Sequence, residues 1–544
     1  MNVIALFIRA HEGWARWLGR QLSRRVILTA TLLFCTWSVL DIYVVRHTSG
    51  ISHSTFDLMM RSRVVTSGPD PRIAIIDIDE VSLKRMSSEF GRWPWPRDTL
   101  ATVLDYLEKQ GPLAIVWDVQ FSDQDLISPG GDAAFNEAVQ RSKHSHFSIA
   151  RLLASTDSKS QITYDVLPSL WVSRNDAKPP SATVALIPPA IPAIAASKLG
   201  YNNGVVDSDG VLRHAKPFEL LADGSRIQSI AMSVLSSIDP SAFERAIKFN
   251  EAGAKPLELI DWRKASDGYT HISFVDVFES ADSGSRSAID KRFQGKIVIL
   301  GSTAASLHDI HPTPISAEHG GLDSLATLID NAINERRIRE LPDWANALIA
   351  SALCVGLAYW VGVHKISSLS GLTLVLPAIL IVISYLTLNG TGVFIDLNLP
   401  ATLVLLFLSF LRYWSQQRRA YWCSLPEMNN ESLALMTLKR SSPWFESELD
   451  RLIDILERIT AGCKVIVPDV HVMAFQQLRW PELAMNASVI GPADEIARIR
   501  QTLCDAVTSL AQPSQSPELL PPNADRRAIA SAASRSWVSE SIDR

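Results

Sequence analysis

Three aspartates carry the first chemical signal in the chain. Asp77 and Asp79 stand two apart at the end of the apolar run Arg72–Ile78 (RIAIIDI), and Asp118 follows a second run, Leu113–Trp117. Alternate residues of a strand share a face, which places Asp77 and Asp79 together and Ile76 and Ile78 opposite them. Carboxylates gathered at the C-terminal ends of parallel strands suit a cation, an amine or sugar hydroxyls, and open α/β sheets bind ligands at that edge. Aspartate also caps helices and builds turns, and this plainer role competes at all three positions. Between them, Trp93-Pro94-Trp95-Pro96-Arg97 sets two large rings and a cation in a stiff loop. It serves either as a lid over the strand edge or as a wedge that fixes the next helix in the core. The expected ligand-binding set is Asp77, Asp79, Asp118, Trp93, Trp95 and Arg97.

Other motifs point less far. Asp207-Ser208-Asp209-Gly210 has the opening of a calcium loop without its later chelating glutamate, so an Asp-Gly turn is expected. His308-Asp309-Ile310-His311 offers metal ligands, but no cysteine partner or H-E-x-x-H pattern accompanies it. No G-x-S-x-G elbow with a placed triad is present. The residues predict no catalytic centre, no cofactor and no resident metal.

The elements that position these residues read as βαβ. Pro96 suits the first turn of a helix over Arg97–Gln110, whose Leu100, Val103, Leu104 and Leu107 form one stripe. Gly111-Pro112 stops it before the second strand. Near-continuous apolar strands indicate a sheet covered on both faces. Ser145–Ala150, Leu257–Trp262 and Lys296–Leu300 are further strand candidates, the last ending in Gly301-Ser302-Thr303. The fold class is therefore an α/β domain with a largely parallel sheet.

The chain has 544 residues, 47% hydrophobic and 20% charged, with net charge −5. This excludes a disordered chain, and the absence of a basic field excludes nucleic acid as the expected partner. The run Val26–Val45 is long enough to cross a bilayer, and Arg9, Arg16, Arg20, Arg24 and Arg25 precede it. Three more apolar runs occupy 344–363, 369–388 and 393–411, with Arg412, Arg418 and Arg419 after the last. Positive flanks mark the cytoplasmic side. Asp41, in the first span, and Asp396, at the mouth of the last, are expected to face the bundle or the interface. The expected plan is a cytoplasmic N-terminus (1–25), four transmembrane helices (26–45, 344–363, 369–388, 393–411) and an extracytoplasmic domain (46–343). A small cytoplasmic α/β or mostly helical domain (412–511) and a Pro/Ser-rich disordered tail (512–544) follow. All five cysteines (35, 354, 423, 463, 504) lie outside 46–343, which fits an oxidising outer compartment.

An ordered series of short motifs adds a resemblance. Phe56-Asp57-Leu58-Met59-Met60-Arg61 leads into Asp77-Ile78-Asp79-Glu80, then Gly91-Arg92-Trp93-Pro94-Trp95-Pro96-Arg97 and Val116-Trp117-Asp118-Val119-Gln120-Phe121-Ser122. Asp207-Ser208-Asp209-Gly210-Val211-Leu212-Arg213, Gly295-Lys296-Ile297-Val298-Ile299-Leu300-Gly301 and Thr313-Pro314 complete it. In this order they resemble the type-2 CHASE domain, an extracellular sensory domain of bacterial signalling proteins, over residues ~50 to ~340. The resemblance implies one membrane helix before the domain, up to three after it, and a sensing role without a defined ligand. Such domains usually feed a cyclase or kinase. The C-terminal segment here has no Gly-rich phosphate loop, GGDEF run or kinase motif pair, so a docking module for a separate protein is expected instead.

Together these readings predict a multi-pass bacterial inner-membrane sensor that is not itself an enzyme. Its expected partners are the lipid bilayer, an unidentified periplasmic ligand, a cytoplasmic signalling protein and further copies of the chain. Two rivals are a periplasmic metal-dependent hydrolase and a structural or oligomeric membrane scaffold or defence-system component.

Overall fold

The computed structural model describes residues 13–533 apart from 15–16, 19–20, 22, 47, 127, 129, 173–179, 252–256, 265–266, 283–289, 308, 365–370, 425–431, 441–443, 445, 461, 468–486, 515, 521–523, 526 and 530. Arg9, Arg16, Arg20, His308 and Ser441-Ser442-Pro443 lie outside the described residues. Two compact units emerge: residues 1–49, 342–384 and 396–544 form one, and residues 50–341 with 385–395 the other.

Helix α1 (Ser23–Leu40) opens the first unit and continues as a π-turn through Val45. Asp41, in that turn, is 1% exposed and accepts a hydrogen bond from Thr48 Oγ1 at 2.5 Å. A carboxylate in an apolar span thus turns inward and is satisfied, as the cost of exposing it to lipid requires.

The second unit begins with α2 (Ser49–Arg61) and is built on a six-stranded parallel sheet. Its strands are β1 (Ile73–Asp77), β2 (Ala114–Trp117), β3 (Ser145–Ile149), β4 (Lys198–Tyr201), β7 (Thr270–Ser273) and β8 (Ile297–Gly301). A hairpin of β5 (Val205–Val206) and β6 (Leu212–Ala215) leaves the sheet after β4. The strand order is β7-β1-β8-β2-β3-β4, every pair parallel. The expected βαβ unit is present, as β1 and β2 are parallel strands of one sheet joined by helices, and β8, from the far end of the domain, lies between them. The candidate strand Leu257–Trp262 differs, since only Glu258–Leu259 is extended and it pairs with β6 outside this sheet.

Alternation along β1 explains both apolar layers. Ile76 packs with Trp117, Phe147 and Leu300 on one face, and Ile73 and Ile75 with Val116 and Ile299 on the other. Helices α3 (Glu80–Phe90), α4 (Arg97–Lys109), α5 (Gly131–Arg141) and α7 (Phe274–Asp282) cover the first face. Helices α6 (Ile230–Ile238) and α8 (Gly321–Ile333) cover the second. Burial on both sides is why these strands read as continuous apolar runs.

Two helices follow, α9 (Asp343–His364) and α10 (Leu372–Thr391). Among the described residues three helices are long and apolar enough to cross a membrane, Ser23–Val45, Asp343–Val363 and Leu372–Thr391. The fourth expected span, 393–411, is redrawn. Its first residues form β10 (Val393–Phe394), paired with β9 (Arg339–Glu340), and the helix α11 runs from Asn398 to Trp422. The apolar stretch left inside it, Leu399–Leu411, is shorter than a standard span. Asp396 accepts from the Asn398 backbone N–H at 3.1 Å at the start of this helix. Within the first unit α11 packs on α1 and α9, with Phe34 and Phe407 edge to face at 5.2 Å.

The C-terminal part of the first unit is an antiparallel sheet with two helices. Its elements are β11 (Leu433–Lys439), α12 (Glu446–Ile459), β12 (Lys464–Ile466), β13 (Ala487–Pro492), α13 (Ala493–Val507) and β14 (Gln512–Pro513). The order β12-β13-β11-β14 is that of the βαββαβ ferredoxin-like arrangement. Of the two expected alternatives, α/β and mostly helical, this is the α/β one. The region from Gln512 onward was expected to be disordered. Instead β14 and β15 (Glu518–Leu519) pair with β11, and Leu520, Ile529 and Ala532 bury the second face of the sheet. Its apolar residues have an exposed sheet face to cover, which composition alone does not report.

Candidate functional site

The second unit brings several ionisable groups together at the C-terminal edge of the parallel sheet. Strand β1 ends at Asp77, whose side chain falls on the face covered by α6 and α8. Asp77 accepts from the Thr303 backbone N–H at 2.8 Å and its hydroxyl at 2.5 Å, and meets His271 Nδ1 at 3.1 Å. Burial pushes the Asp77 carboxyl up, but the His271 and Thr303 contacts outweigh it and hold the group below the usual carboxylate range. His271 comes from the edge strand β7 and reaches Asp323 Oδ1 through Nε2 at 3.2 Å. Hydrogen bonds to Asp323 and then Asp77 raise this imidazole to about 9 against its burial. The imidazolium therefore ties β1 and β7 to the first turn of α8.

Asp118 lies one strand beyond β8 on the same face. It accepts from Asn202 Nδ2 at 2.7 Å and Ser148 Oγ at 3.2 Å. Burial pushes its carboxyl up, Asp309 adds to the rise, and the Asn202 and Ser148 hydrogen bonds oppose it. Asp118, Asn202, Asp309, His311 and Ser324 rim a cavity of 130 Å³ walled by Leu212, Leu325 and other apolar residues. It has room for several waters or a small polar molecule. Gly301 and Gly321 make this geometry possible by close approach. A Cβ on Gly301 would lie 2.7 Å from Leu322 Cδ1, and one on Gly321 would fall onto the Asp309 carboxylate.

The six expected residues separate into two groups. Asp77 and Asp118 share the edge and the face. Asp79 lies past the strand end, where strand alternation no longer applies: it caps α3 by accepting from Ser82 N at 2.7 Å, and it takes the Ser273 hydroxyl at 2.9 Å. Trp93, Trp95 and Arg97 pack with the opposite core. Trp95 is 2% exposed and stacks on Phe274 at 5.1 Å, with Trp93 edge to face at 5.0 Å. Arg97 pairs with Asp132 and sits 5.6 Å from the Phe121 ring. The rings wedge the start of α4 into the core rather than covering Asp118.

The two metal motifs resolve differently. Asp207 and Asp209 stand in a turn with Gly210 at φ +81°, as an Asp-Gly turn requires. With His53 of α2 they bring three ligand atoms within 4.8 Å. Arg213 already supplies the positive charge there: it is 2% exposed and binds Asp57 at 2.7 Å and Asp207 and Asp209 at 2.8 Å each. His311 meets Asp309 at 3.2 Å on the cavity rim.

His271, Thr303, Asp323, Asn202 and Ser148 escaped the sequence reading. They are polar residues in ordinary positions, and only the strand order reveals that they meet. Asp57 and Arg213 were visible as motif residues, without a sign that they pair.

A family model described as CHASE2 domain matches residues 29–362. The chain belongs to the CHASE2 family, a family of extracellular sensory domains, and the matched region takes in most of α1, the parallel-sheet unit and nearly all of α9. No curated protein and no solved structure matches it.

Proposed function

We propose that this member of the CHASE2 family is a multi-pass receptor of the bacterial inner membrane. A small polar solute enters the cavity at the C-terminal sheet edge and shifts the spanning helices that carry the C-terminal domain. The observation that carries this reading is the place of α8. Its first turn supplies Asp323 to His271 and Ser324 to the cavity, and only nine residues separate its last residue, Ile333, from Asp343, where α9 begins. Asp330, fully buried near its other end, is held by Arg263 at 2.5 Å and the Asp70 N–H at 2.8 Å. A solute that prefers one placement of α8 shifts the balance by its difference in affinity, and no further. Asp118, Asn202 and Ser324 suit hydroxyl or amine groups of such a solute. On this reading Asp77 acts with His271 in fixing α8, Asp79 and Trp93, Trp95 and Arg97 shape the fold, and the ferredoxin-like domain faces a signalling partner.

Helix register supports a fourth crossing by α11. Phe34 and Phe407 meet midway, and Ser23 of α1 shares a cleft with Ser415 and Arg418 of α11. At ~1.5 Å per residue both segments cover about 12–17 Å, so α11 runs antiparallel to α1 over a comparable depth. Four crossings place residues 46–343 in the periplasm and both ends of the chain in the cytoplasm, in line with the arginines at 24, 25, 418 and 419. The test joins topology to relay. Reporter fusions at Gly224 and after residue 533 should label opposite sides. Ser324→Tyr, which fills the cavity, should change hydrogen exchange in residues 433–507. Reporters on one side, or unchanged exchange with the fold intact, would refute the proposal.

A further inference from the structure

The first unit contains a cleft of its own among the described residues. It has a volume of 680 Å³ and is bounded by the first turns of α1, the last turns of α9, the lower part of α11 and one face of α12. Its lining has two characters. Ile27, Leu28, Val355 and Val363 form an aliphatic wall, and Leu28, Val355 and Val363 are 62%, 53% and 51% exposed. Arg24 and Arg458 also line the cleft, both exposed, and neither meets a carboxylate among the described residues. The cleft's own acids are already matched: Asp454 binds Arg418 at 2.6 Å and Asp450 binds Arg419 at 2.9 Å. What remains to be satisfied is an aliphatic surface beside two free cations.

We infer that this cleft is a binding site for an anionic phospholipid, its phosphate held between Arg24 and Arg458 and its acyl chains along Ile27, Leu28, Val355 and Val363. A soluble phosphate would use the two arginines and leave the aliphatic wall wet. A zwitterionic lipid would cover the wall and match the charge poorly. The volume falls in the range of ordinary ligand sites. Because α1 and α9 are apolar spans and the cleft is at their adjoining ends, it sits at headgroup depth in any bilayer they cross. The lipid would bridge the helix bundle and α12, so membrane composition would bear on how the C-terminal domain is held. The inference rests on α1 and α9 lying in lipid and does not depend on the sensory solute.

The test uses the full chain purified in detergent and presented with phosphatidylglycerol, phosphatidylcholine or inorganic phosphate, with retained lipid read by native mass spectrometry. Phosphatidylglycerol should be retained in preference to phosphatidylcholine, and inorganic phosphate should not displace it. Arg24→Gln with Arg458→Gln should weaken retention about 30-fold, the scale of two cations attracted to an anionic lipid. Both side chains are exposed, so unchanged melting of the variant is expected. Ala358→Trp should weaken lipid retention by crowding the cleft. Arg25→Gln, exposed on the same helix outside the cleft, should leave retention unchanged. Full retention by the double variant, an equal loss with Arg25→Gln, or displacement by inorganic phosphate would each overturn the inference. A chain that fails the reporter test yet retains the lipid would separate this site from the sensory proposal.

Discussion

His271 offers the most exacting check on the arrangement at the sheet edge. Its imidazole is raised from an ordinary value of 6.5 to about 9 by Asp323 and Asp77. A folded-state value above the unfolded one means the protonated ring stabilises the fold. That contribution is complete below about pH 6.5 and disappears as pH rises through about 9. The full displacement would amount to ~3 kcal/mol, at 1.36 kcal/mol per pH unit. The side chain is 32% exposed and screened by water. A net of about 1–2 kcal/mol is therefore expected. The lowered Asp77 carboxyl describes the same contact seen from its partner and is not added. His271→Gln keeps a polar side chain and removes the charge. Thermal unfolding of the parallel-sheet unit, followed by tryptophan fluorescence of buried Trp117 and Trp262, should show the variant less stable than the parent near pH 6. The difference should shrink towards zero near pH 10. A difference that stays constant across this range, or grows with pH, would refute the ion-pair account of how α8 is held.

Removing Arg418, 4% exposed between Asp454 and Glu457, strands two partly buried carboxylates, so Arg418→Ala should loosen α12 by about 3–5 kcal/mol, read by hydrogen exchange across Glu446–Ile459. Unaltered exchange there would show that α11 and the C-terminal domain are joined by other means. Arg213→Gln should cost a similar ~3–5 kcal/mol by leaving Asp57 unpaired and Asp207 with His214 alone, with α2 the first element to gain protease sensitivity. Gly301→Val should destabilise the fold by overpacking against Leu322 and Asp118, on the order of 1–3 kcal/mol, while the same change at Gly268, with nothing within 4 Å and no left-handed backbone, should lack that steric cost.

Much of the architecture is legible in local patterns. Three apolar stretches of spanning length, the near-continuous apolar strands, the stripe of α4 and the Asp-Gly turn at Asp209-Gly210 each follow from spacing that a short window contains. The capping role of Asp79 was open as an alternative for the same reason. The fourth helix was misdrawn because its polar half, through Arg418, Arg419 and Trp422, is buried against α12 and β12 rather than placed in water or lipid.

The sheet edge depended on distant partners. Asp77 is met by His271 and Thr303, 194 and 226 residues away, and Arg213 by Asp57 at a separation of 156. No periodicity carries such pairings, since they follow from β8 entering between β1 and β2 and β7 joining the edge. The sequence by itself determined which segments are apolar, which helices carry an apolar stripe and which family they compose, because burial acts on each residue through its near neighbours. The tertiary structure alone decided which carboxylate faces which cation and which helix supplies each partner. Electrostatic partners are chosen by proximity in space, and strand order sets that proximity.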